Sequence, residues 1–140
     1  MVRIRPAEAS DQDFIDRTYA AIHFPAGTAD DEMLVAEIDG ERVGLGRLIP
    51  CAAGTVELGG IWVEDRHRRH GVAATLVRTL IERAAGRRVY CVPFTPLVDY
   101  YKRFGFVDAP SDESVPVPVR AKLDVCRATF PQGVALLRLP

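Results

Sequence analysis

The 140-residue chain has few of the features that mark disulfide-rich, metal-binding or membrane proteins. Its three cysteines, Cys51, Cys91 and Cys126, are odd in number and widely spaced, so they form neither a disulfide framework nor a metal motif. We expect free thiols in a reducing cytoplasm. No apolar run approaches the ~20 residues of a membrane span, and the N-terminus lacks the apolar core of a signal peptide. We therefore predict a cytoplasmic protein without a membrane partner.

Charge of either sign is not in excess, since the formal net charge is −1. A chain without a basic surplus has little general attraction for nucleic acid, so we expect no nucleic-acid partner. The composition, 48% hydrophobic and 26% charged, is typical of a globular protein. The length fits a single domain over residues 1–140.

Residues 55–63 read as a strand that ends in Ile61, Trp62 and Val63. A short basic turn follows, and then residues 72–85 have the period of an amphipathic helix. Its apolar stripe consists of Val72, Ala73, Leu76, Val77, Leu80, Ile81 and Ala84. Gly86 stands where a helix C-cap glycine belongs.

The start of this helix is suited to a polyphosphate. Residues 68–71 contain no Ser, Thr, Asp or Asn that would cap the first backbone N–H groups. Those groups and the helix dipole attract anions. Gly71 lets a ligand approach the backbone, and Arg68 and Arg69 add positive charge. The alternative is a solvated basic turn. Neither a Walker A loop nor a G-x-G-x-x-G fingerprint is present.

A second block begins with a short strand at residues 88–92, followed by Pro93. A helix is predicted over residues 96–104, ending at Gly105. Four aromatic side chains lie in or after it: Tyr100, Tyr101, Phe104 and Phe106. They could form an ordinary buried aromatic cluster.

Both blocks resemble the GNAT family of N-acetyltransferases. Residues 68–73 are similar to its R/Q-x-x-G-x-G/A signature, and residues 101–106 to its Tyr-x-x-x-Gly-Phe element. The resemblance implies an α/β (α+β) fold with a central mixed, strongly twisted sheet and helices on both faces. It also implies acetyl-CoA as acyl donor, without a metal. The implied coenzyme-binding residues are Ile61, Trp62, Val63, Arg68, Arg69, His70, Gly71, Val72, Ala73 and Ala74.

Two residues are candidates for catalysis. The resemblance implies that Tyr101 lies near the coenzyme sulfur as a general acid. Glu57 is a charged residue within an otherwise apolar strand, and partial burial would make it a useful base. Its position eleven residues before Arg68 resembles that of the catalytic glutamate in histone-acetylating relatives. The alternatives for Glu57 are a solvent-facing or salt-bridged side chain.

Gly59-Gly60 is a candidate bulge that would expose backbone N–H groups to the thioester.

The remaining elements follow from periodicity and turn residues. A helix starting at Ser10 with a Ser10/Asp13 capping pair is predicted. Asp39-Gly40 predicts a hairpin between strands at residues 33–38 and 42–49, and residues 50–54 read as a turn. Residues 108–116 read as a loop. A helix follows from Pro118 and then a final strand over residues 134–139. As an exposed edge, that strand could pair across a homodimer.

The sequence thus favours acetyl transfer to the primary amine of a small molecule, an amino acid being one candidate. Two alternatives remain open at this point. One is a non-catalytic acetyl-CoA-binding module, and the other is an acetyltransferase for proteins or peptides.

Overall fold

The computed structural model of the protein describes residues 1–110 and 112–140. Over these residues the chain forms seven strands and four α-helices. The strands are β1 (Arg3–Pro6), β2 (Glu32–Ile38), β3 (Glu41–Ala52), β4 (Thr55–Val63), β5 (Arg88–Cys91), β6 (Val107–Asp108) and β7 (Leu137–Arg138). The helices are α1 (Gln12–Ala21), α2 (Val72–Arg83), α3 (Val98–Lys102) and α4 (Val117–Thr129). Ser111, within the predicted loop 108–116, lies outside the described residues.

The strands form one mixed sheet in the order β1-β2-β3-β4-β5-β7-β6. The hairpin predicted at Asp39-Gly40 is confirmed, because β2 and β3 pair antiparallel around it. Strands β4 and β5 pair in parallel through a register that ends at Glu57 opposite Tyr90. A parallel pair joined by a helix is the expected crossover unit.

The described residues fall into two compact units. The N-terminal unit comprises Met1–Leu48 and Gly60–Arg83, and the C-terminal unit comprises Ile49–Gly59 and Ala84–Pro140. A single domain over residues 1–140 stays a prediction.

In the N-terminal unit, helix α2 lies close against strand β3. A Cβ atom on Gly44 would lie 3.0 Å from Val72 Cγ1, and one on Gly46 would lie 3.0 Å from Leu80 Cδ1. The absence of side chains at these two strand positions therefore sets how closely the helix can approach. Val72, Leu76, Val77 and Leu80 are fully buried, which confirms the predicted apolar stripe.

Helix α1 begins differently from the prediction. The Ser10/Asp13 capping pair is wrong: the backbone N–H of Glu8 donates to Asp11 Oδ2 at 2.7 Å, and α1 starts at Gln12 after a 3-10 turn. The cause is tertiary, because the fully buried Asp11 carboxylate also binds Arg5 and Arg42, each at 2.7 Å. These guanidinium groups hold the pKa of Asp11 well below its usual range.

Two strand boundaries also differ from the prediction. Residues 50–52 were expected in a turn but continue β3. Since β2 pairs with β3 only as far as Leu48, no β2 partner needs the N–H that Pro50 lacks.

The final strand is shorter than predicted, since it comprises Leu137–Arg138 and not residues 134–139, and it lies between β5 and β6. Strand β6 pairs with the side of β7 that does not face β5, so β7 is not an edge strand. The expectation that this strand is a free edge is therefore wrong, and it gives no support to a homodimer.

Candidate functional site

The basic turn before α2 carries two left-handed backbone positions. Arg69 has φ 69° and Gly71 has φ 79°. A Cβ atom on Gly71 would meet no atom of residues 1–110 and 112–140 within 4 Å, so that part of the chain leaves the space above this residue open. Alternating backbone conformations of this kind direct successive N–H groups into one concavity, which binds anions.

The first turn of α2 extends this concavity. The N–H of Thr75 donates to the carbonyl of Gly71 at 3.0 Å and closes the turn. The N–H groups of Val72, Ala73 and Ala74 precede the first intrahelical acceptor, as helix geometry requires. Side chains are small at Gly71, Ala73 and Ala74, so an anion can reach this backbone. We call residues 69–74 the N–H cradle.

The cradle and the residue before it carry three basic side chains, Arg68, Arg69 and His70, and all three are exposed. Arg68 is oriented by the protein itself: its Nη2 lies 3.0 Å from Asp65 Oδ1, and its Nε donates to the carbonyl of Val63 at 3.3 Å. The guanidinium is still 64% exposed. It can therefore contact a phosphate without losing its local support.

Strand β4 contains a left-handed residue at Gly60, which has φ 61°. The hydroxyl of Tyr19 donates to the carbonyl of Gly60 at 2.7 Å. In a planar trans peptide the N–H opposes the C=O, so the N–H of Ile61 points away from the Tyr19 hydroxyl. Tyr19 thus fixes the direction of a backbone donor at the predicted bulge. The next residue, Trp62, packs edge-on against Phe14 with ring centroids 5.7 Å apart.

In the C-terminal unit, Glu57 is 6% exposed and forms an ion pair with Lys122 of α4. Of the alternatives given for Glu57, the structure shows the salt-bridged one, and the partner is a lysine. Cys91 lies near Glu57: burial first, and then the Glu57 charge, raises the pKa of its thiol. Burial likewise raises the pKa of Cys126, and Lys122 opposes this effect.

Tyr101 is 8% exposed and belongs to the aromatic cluster weighed as the alternative to a catalytic role. Its ring lies 5.4 Å from that of Tyr100 and 6.1 Å from that of Phe106, both edge-on. Burial is the main cause that raises the pKa of its hydroxyl well above the ordinary value of 10.0. The phenol therefore keeps its proton throughout the neutral and mildly alkaline range.

The predicted residues divide between the units: the coenzyme-binding set lies in the N-terminal unit, and Glu57 and Tyr101 lie in the C-terminal unit. Sequence reasoning missed Lys122, Tyr19 and Arg47, a buried arginine in β3. Lys122 lies three residues after Val119 and four before Cys126, so it is a charged residue beside an apolar stripe. Arg47 interrupts an apolar strand, the same signal that singled out Glu57.

Residues 1–110 and 112–140 have neither a metal-binding cluster nor a membrane-spanning helix. They contain no group of three or more His, Cys, Asp or Glu side chains placed to hold a metal ion. No helix among them has the length and apolar character needed to cross a membrane.

Several solved structures share this fold. N-acetylglutamate synthase from Neisseria gonorrhoeae, complexed with coenzyme A and N-acetyl-glutamate, has a TM-score of 0.77 at 20% identity. The match covers 99% of this chain and 35% of that one, so the chain spans about a third of the synthase. ElaA from Escherichia coli has a TM-score of 0.73 at 15% identity, with 100% of both chains covered. A GNAT family acetyltransferase from Elizabethkingia anophelis with acetyl-CoA bound has a TM-score of 0.66 at 15% identity, covering 99% of this chain and 97% of that one.

Identities this low establish the fold, and with it the predicted α+β class is confirmed. A comparison with curated proteins gives no match to the sequence. A family model does match: the acetyltransferase (GNAT) family model covers residues 2–106, which include the cradle and the Tyr101–Phe106 element. The chain therefore belongs to the acetyltransferase (GNAT) family of enzymes.

Proposed function

We propose that the protein is an acetyl-CoA-dependent N-acetyltransferase that acts on the primary amine of a small molecule. The observation that carries this proposal is the N–H cradle, in which two left-handed residues and a helix start without Ser, Thr, Asp or Asn at residues 68–71 present backbone donors beside exposed arginines. Membership of the GNAT family and the coenzyme complexes of its structural neighbours support it.

Acetyl-CoA is the acyl donor in this proposal, and no metal takes part. The pyrophosphate binds the cradle, while β4 aligns the pantetheine and the thioester through its backbone. The residues assigned to the coenzyme are Ile61, Trp62, Val63, Arg68, Arg69, His70, Gly71, Val72, Ala73 and Ala74. Tyr19 contributes indirectly, because its hydroxyl sets the direction of the Ile61 N–H.

Glu57 is proposed as the general base. The acceptor ammonium gives a proton to its carboxylate, and the neutral amine attacks the thioester carbonyl. The carbonyl oxygen gains negative charge as the bond forms, and the Ile61 N–H is a suitable donor for it. In this assignment the acceptor ammonium takes the place of Lys122 beside the carboxylate.

Tyr101 is proposed as the general acid. When the tetrahedral intermediate collapses, the carbon–sulfur bond breaks and the coenzyme leaves as a thiolate that requires a proton. The buried phenol is protonated at neutral pH and donates its proton to the departing sulfur. The amine nitrogen loses its second proton in the same collapse, and this proton restores the phenol, while the proton held by Glu57 passes to water. The products are the acetylated amine and free coenzyme A.

An amino acid is the acceptor class that we favour. The synthase from Neisseria gonorrhoeae, which shares the fold, was crystallised with N-acetyl-glutamate, an acetylated amino acid.

A mass-spectrometric screen tests the proposal. Purified protein receives acetyl-CoA and a pool of amino acids, polyamines, aminoglycosides and peptides. We expect one class of small amine to gain a single acetyl group, with equimolar release of coenzyme A. Acetylation of peptides alone would favour the alternative of a protein or peptide acetyltransferase. No transfer to any amine, with coenzyme binding shown by calorimetry, would favour the non-catalytic alternative.

A further inference from the structure

Arg47 is a cation buried almost completely in the N-terminal unit. It lies in the middle of β3, and its side chain is 3% exposed. Burial of an ionised group is costly, so buried arginines are normally held by carboxylates through short, paired hydrogen bonds. The surroundings of Arg47 differ from that pattern.

The guanidinium has donors left over. Its Nη2 donates to the carbonyl of Pro25 at 3.1 Å. Its Nη1 lies 3.9 Å from Asp31 Oδ2, which is an ion-pair distance but too long for a hydrogen bond. Within residues 1–110 and 112–140, Nε and Nη1 have no hydrogen-bond acceptor. A ligand oxygen would supply what these donors lack.

The position of the guanidinium relates it to β4. It stacks over the Tyr19 ring at 4.4 Å from the ring centroid. A Cβ atom on Gly60 would lie only 2.9 Å from Arg47 Nε, so the guanidinium lies directly against the backbone of Gly60. The following residue is Ile61, whose N–H is the proposed thioester donor. A ligand on Arg47 is therefore adjacent to this part of β4.

Asp31 covers the guanidinium from the segment between α1 and β2. Residues 24–31 form neither helix nor strand, and the Asp31 side chain is 3% exposed. Its carboxylate accepts two hydrogen bonds of 3.2 Å from Thr28 and makes only the long contact with Arg47. The carboxylate thus neutralises the arginine without satisfying its donors.

We propose that Arg47 binds a carboxylate of the acceptor substrate, and that Asp31 takes the place of that carboxylate when no acceptor is bound. This inference rests on the proposed function and names its substrate class, an amine that also carries a carboxylate. Exchange of one carboxylate for another keeps the buried charge balanced. The substrate carboxylate accepts a charge-assisted hydrogen bond from the free Nη1 donor that faces Asp31, while Asp31 is released to water with its loop.

Matched acceptors test this selectivity. The pairs are L-methionine with L-methioninamide, L-lysine with L-lysinamide, and L-glutamate with its 1-amide. In each pair, we expect kcat/KM of the wild-type protein to be at least about 10-fold higher for the free acid than for the amide. Arg47→Gln should remove most of this difference, so that the ratio of kcat/KM between acid and amide falls toward 1. Arg17→Gln, on the exposed face of α1, is the control for loss of an arginine.

A second variant keeps the test independent of the folding of Arg47→Gln. Asp31→Asn removes the competing carboxylate but retains an oxygen for Thr28. The KM for carboxylate acceptors should then fall several-fold, with little change for amides. If Asp31 only anchors its loop, the substitution leaves the KM for carboxylate acceptors and the KM for amides unchanged, or raises both. Equal turnover of acids and amides by the wild-type protein would overturn the inference.

Binding separates the inference from the proposed function. Calorimetric titration of the coenzyme A-saturated protein with N-acetyl-L-methionine and with its amide needs no catalysis. If the wild-type protein binds the acid more tightly than the amide, and Arg47→Gln abolishes this preference, the Arg47 site is upheld even if no amine is ever acetylated. Equal binding of acid and amide, or no binding of either, rejects the site even if acetylation of other amines is found.

Discussion

Lys122 Nζ and Glu57 Oε1 form an ion pair in the C-terminal unit, where the carboxylate is 7% exposed and the lysine side chain is 30% exposed. The unequal exposure has energetic consequences. A lysine that loses its partner can turn its ammonium toward water, whereas the carboxylate cannot leave its surroundings. The pair should therefore respond differently according to which partner is removed.

Lys122→Met should lower the free energy of unfolding by about 2 kcal/mol, because it leaves a buried carboxylate without its cation. Glu57→Gln should cost less, and the double variant should recover much of the loss, which chemical denaturation would measure as a coupling energy. Lys102→Met removes the exposed pair with Asp108 and should cost less than about 1 kcal/mol. Additive effects at Glu57 and Lys122 would contradict the coupling.

Gly71→Glu should weaken acetyl-CoA binding at least about 10-fold, since it places a bulky anion where the pyrophosphate is expected. Isothermal titration would measure the dissociation constant. Gly86→Glu is a matched control, because Gly86 also has a positive φ, 82°, and open space around its Cβ position. Both variants should lose similar stability from the left-handed backbone. Equal loss of affinity in both would remove the cradle from the coenzyme site.

Tyr101→Phe should lower kcat about 100-fold by removing the proton donor, with the acetyl-CoA dissociation constant little changed. Tyr100→Phe, in the neighbouring ring 5.4 Å away, is the control for loss of a phenol from the same cluster. Coenzyme A release followed with a thiol reagent gives kcat for both. Full activity in Tyr101→Phe would leave this side chain with a packing role alone.

Tyr19→Phe should reduce kcat about 10-fold, an effect smaller than loss of a direct oxyanion donor. Phenylalanine keeps the ring beneath Arg47 and removes only the hydroxyl that holds the Gly60 carbonyl. The expected change is in kcat rather than in KM for the acceptor. A variant with raised KM and normal kcat would assign the hydroxyl to acceptor binding instead.

Alkaline pH should destabilise the fold. A thiol in the unfolded chain loses its proton near pH 9.0, whereas burial raises the pKa of Cys91 in the folded protein. Because the unfolded state then binds fewer protons, the free energy of unfolding falls as pH rises above 9, by about 1.4 kcal/mol per pH unit for one such group. Buried Tyr19 and Tyr101, whose pKa values are also raised, extend the loss above pH 10.

Thermal unfolding between pH 7 and 10.5 measures this slope. Cys91→Ala should make the decline between pH 9 and 10 shallower, and Cys51→Ala, which removes a less buried thiol, should leave it unchanged. An identical decline in Cys91→Ala and the wild-type protein would show that other groups dominate.

Much of the fold could be predicted because its signals are local. The strand at Thr55–Val63 agrees with its predicted bounds, and the stripe of α2 is buried as its period requires. Strands β6 and β7 have two residues each, too few for an alternating pattern to appear. The capping role of Asp11 depends on Arg5 and Arg42, which lie on other elements.

The candidate site divides in the same way. The cradle follows from a run of consecutive residues, so the sequence contains its full description. Lys122 lies 65 positions after Glu57 in the numbering, and no local pattern connects the two. The same holds for Arg47 and Asp31, whose relation depends on the course of the loop between them.

Gly44 and Gly46 have no functional group, yet the packing around them implies strong intolerance to substitution. Any added side chain would press on Val72 and Leu76 or on Leu80 and Ile61, and the helix that begins at the cradle would have to move outward. In a saturation library scored for coenzyme affinity, both positions should therefore be depleted as strongly as true ligand contacts. Scored for solubility alone, replacement by alanine should be depleted far less. Comparing the two screens would separate residues that bind the coenzyme from residues that determine where its binding helix lies.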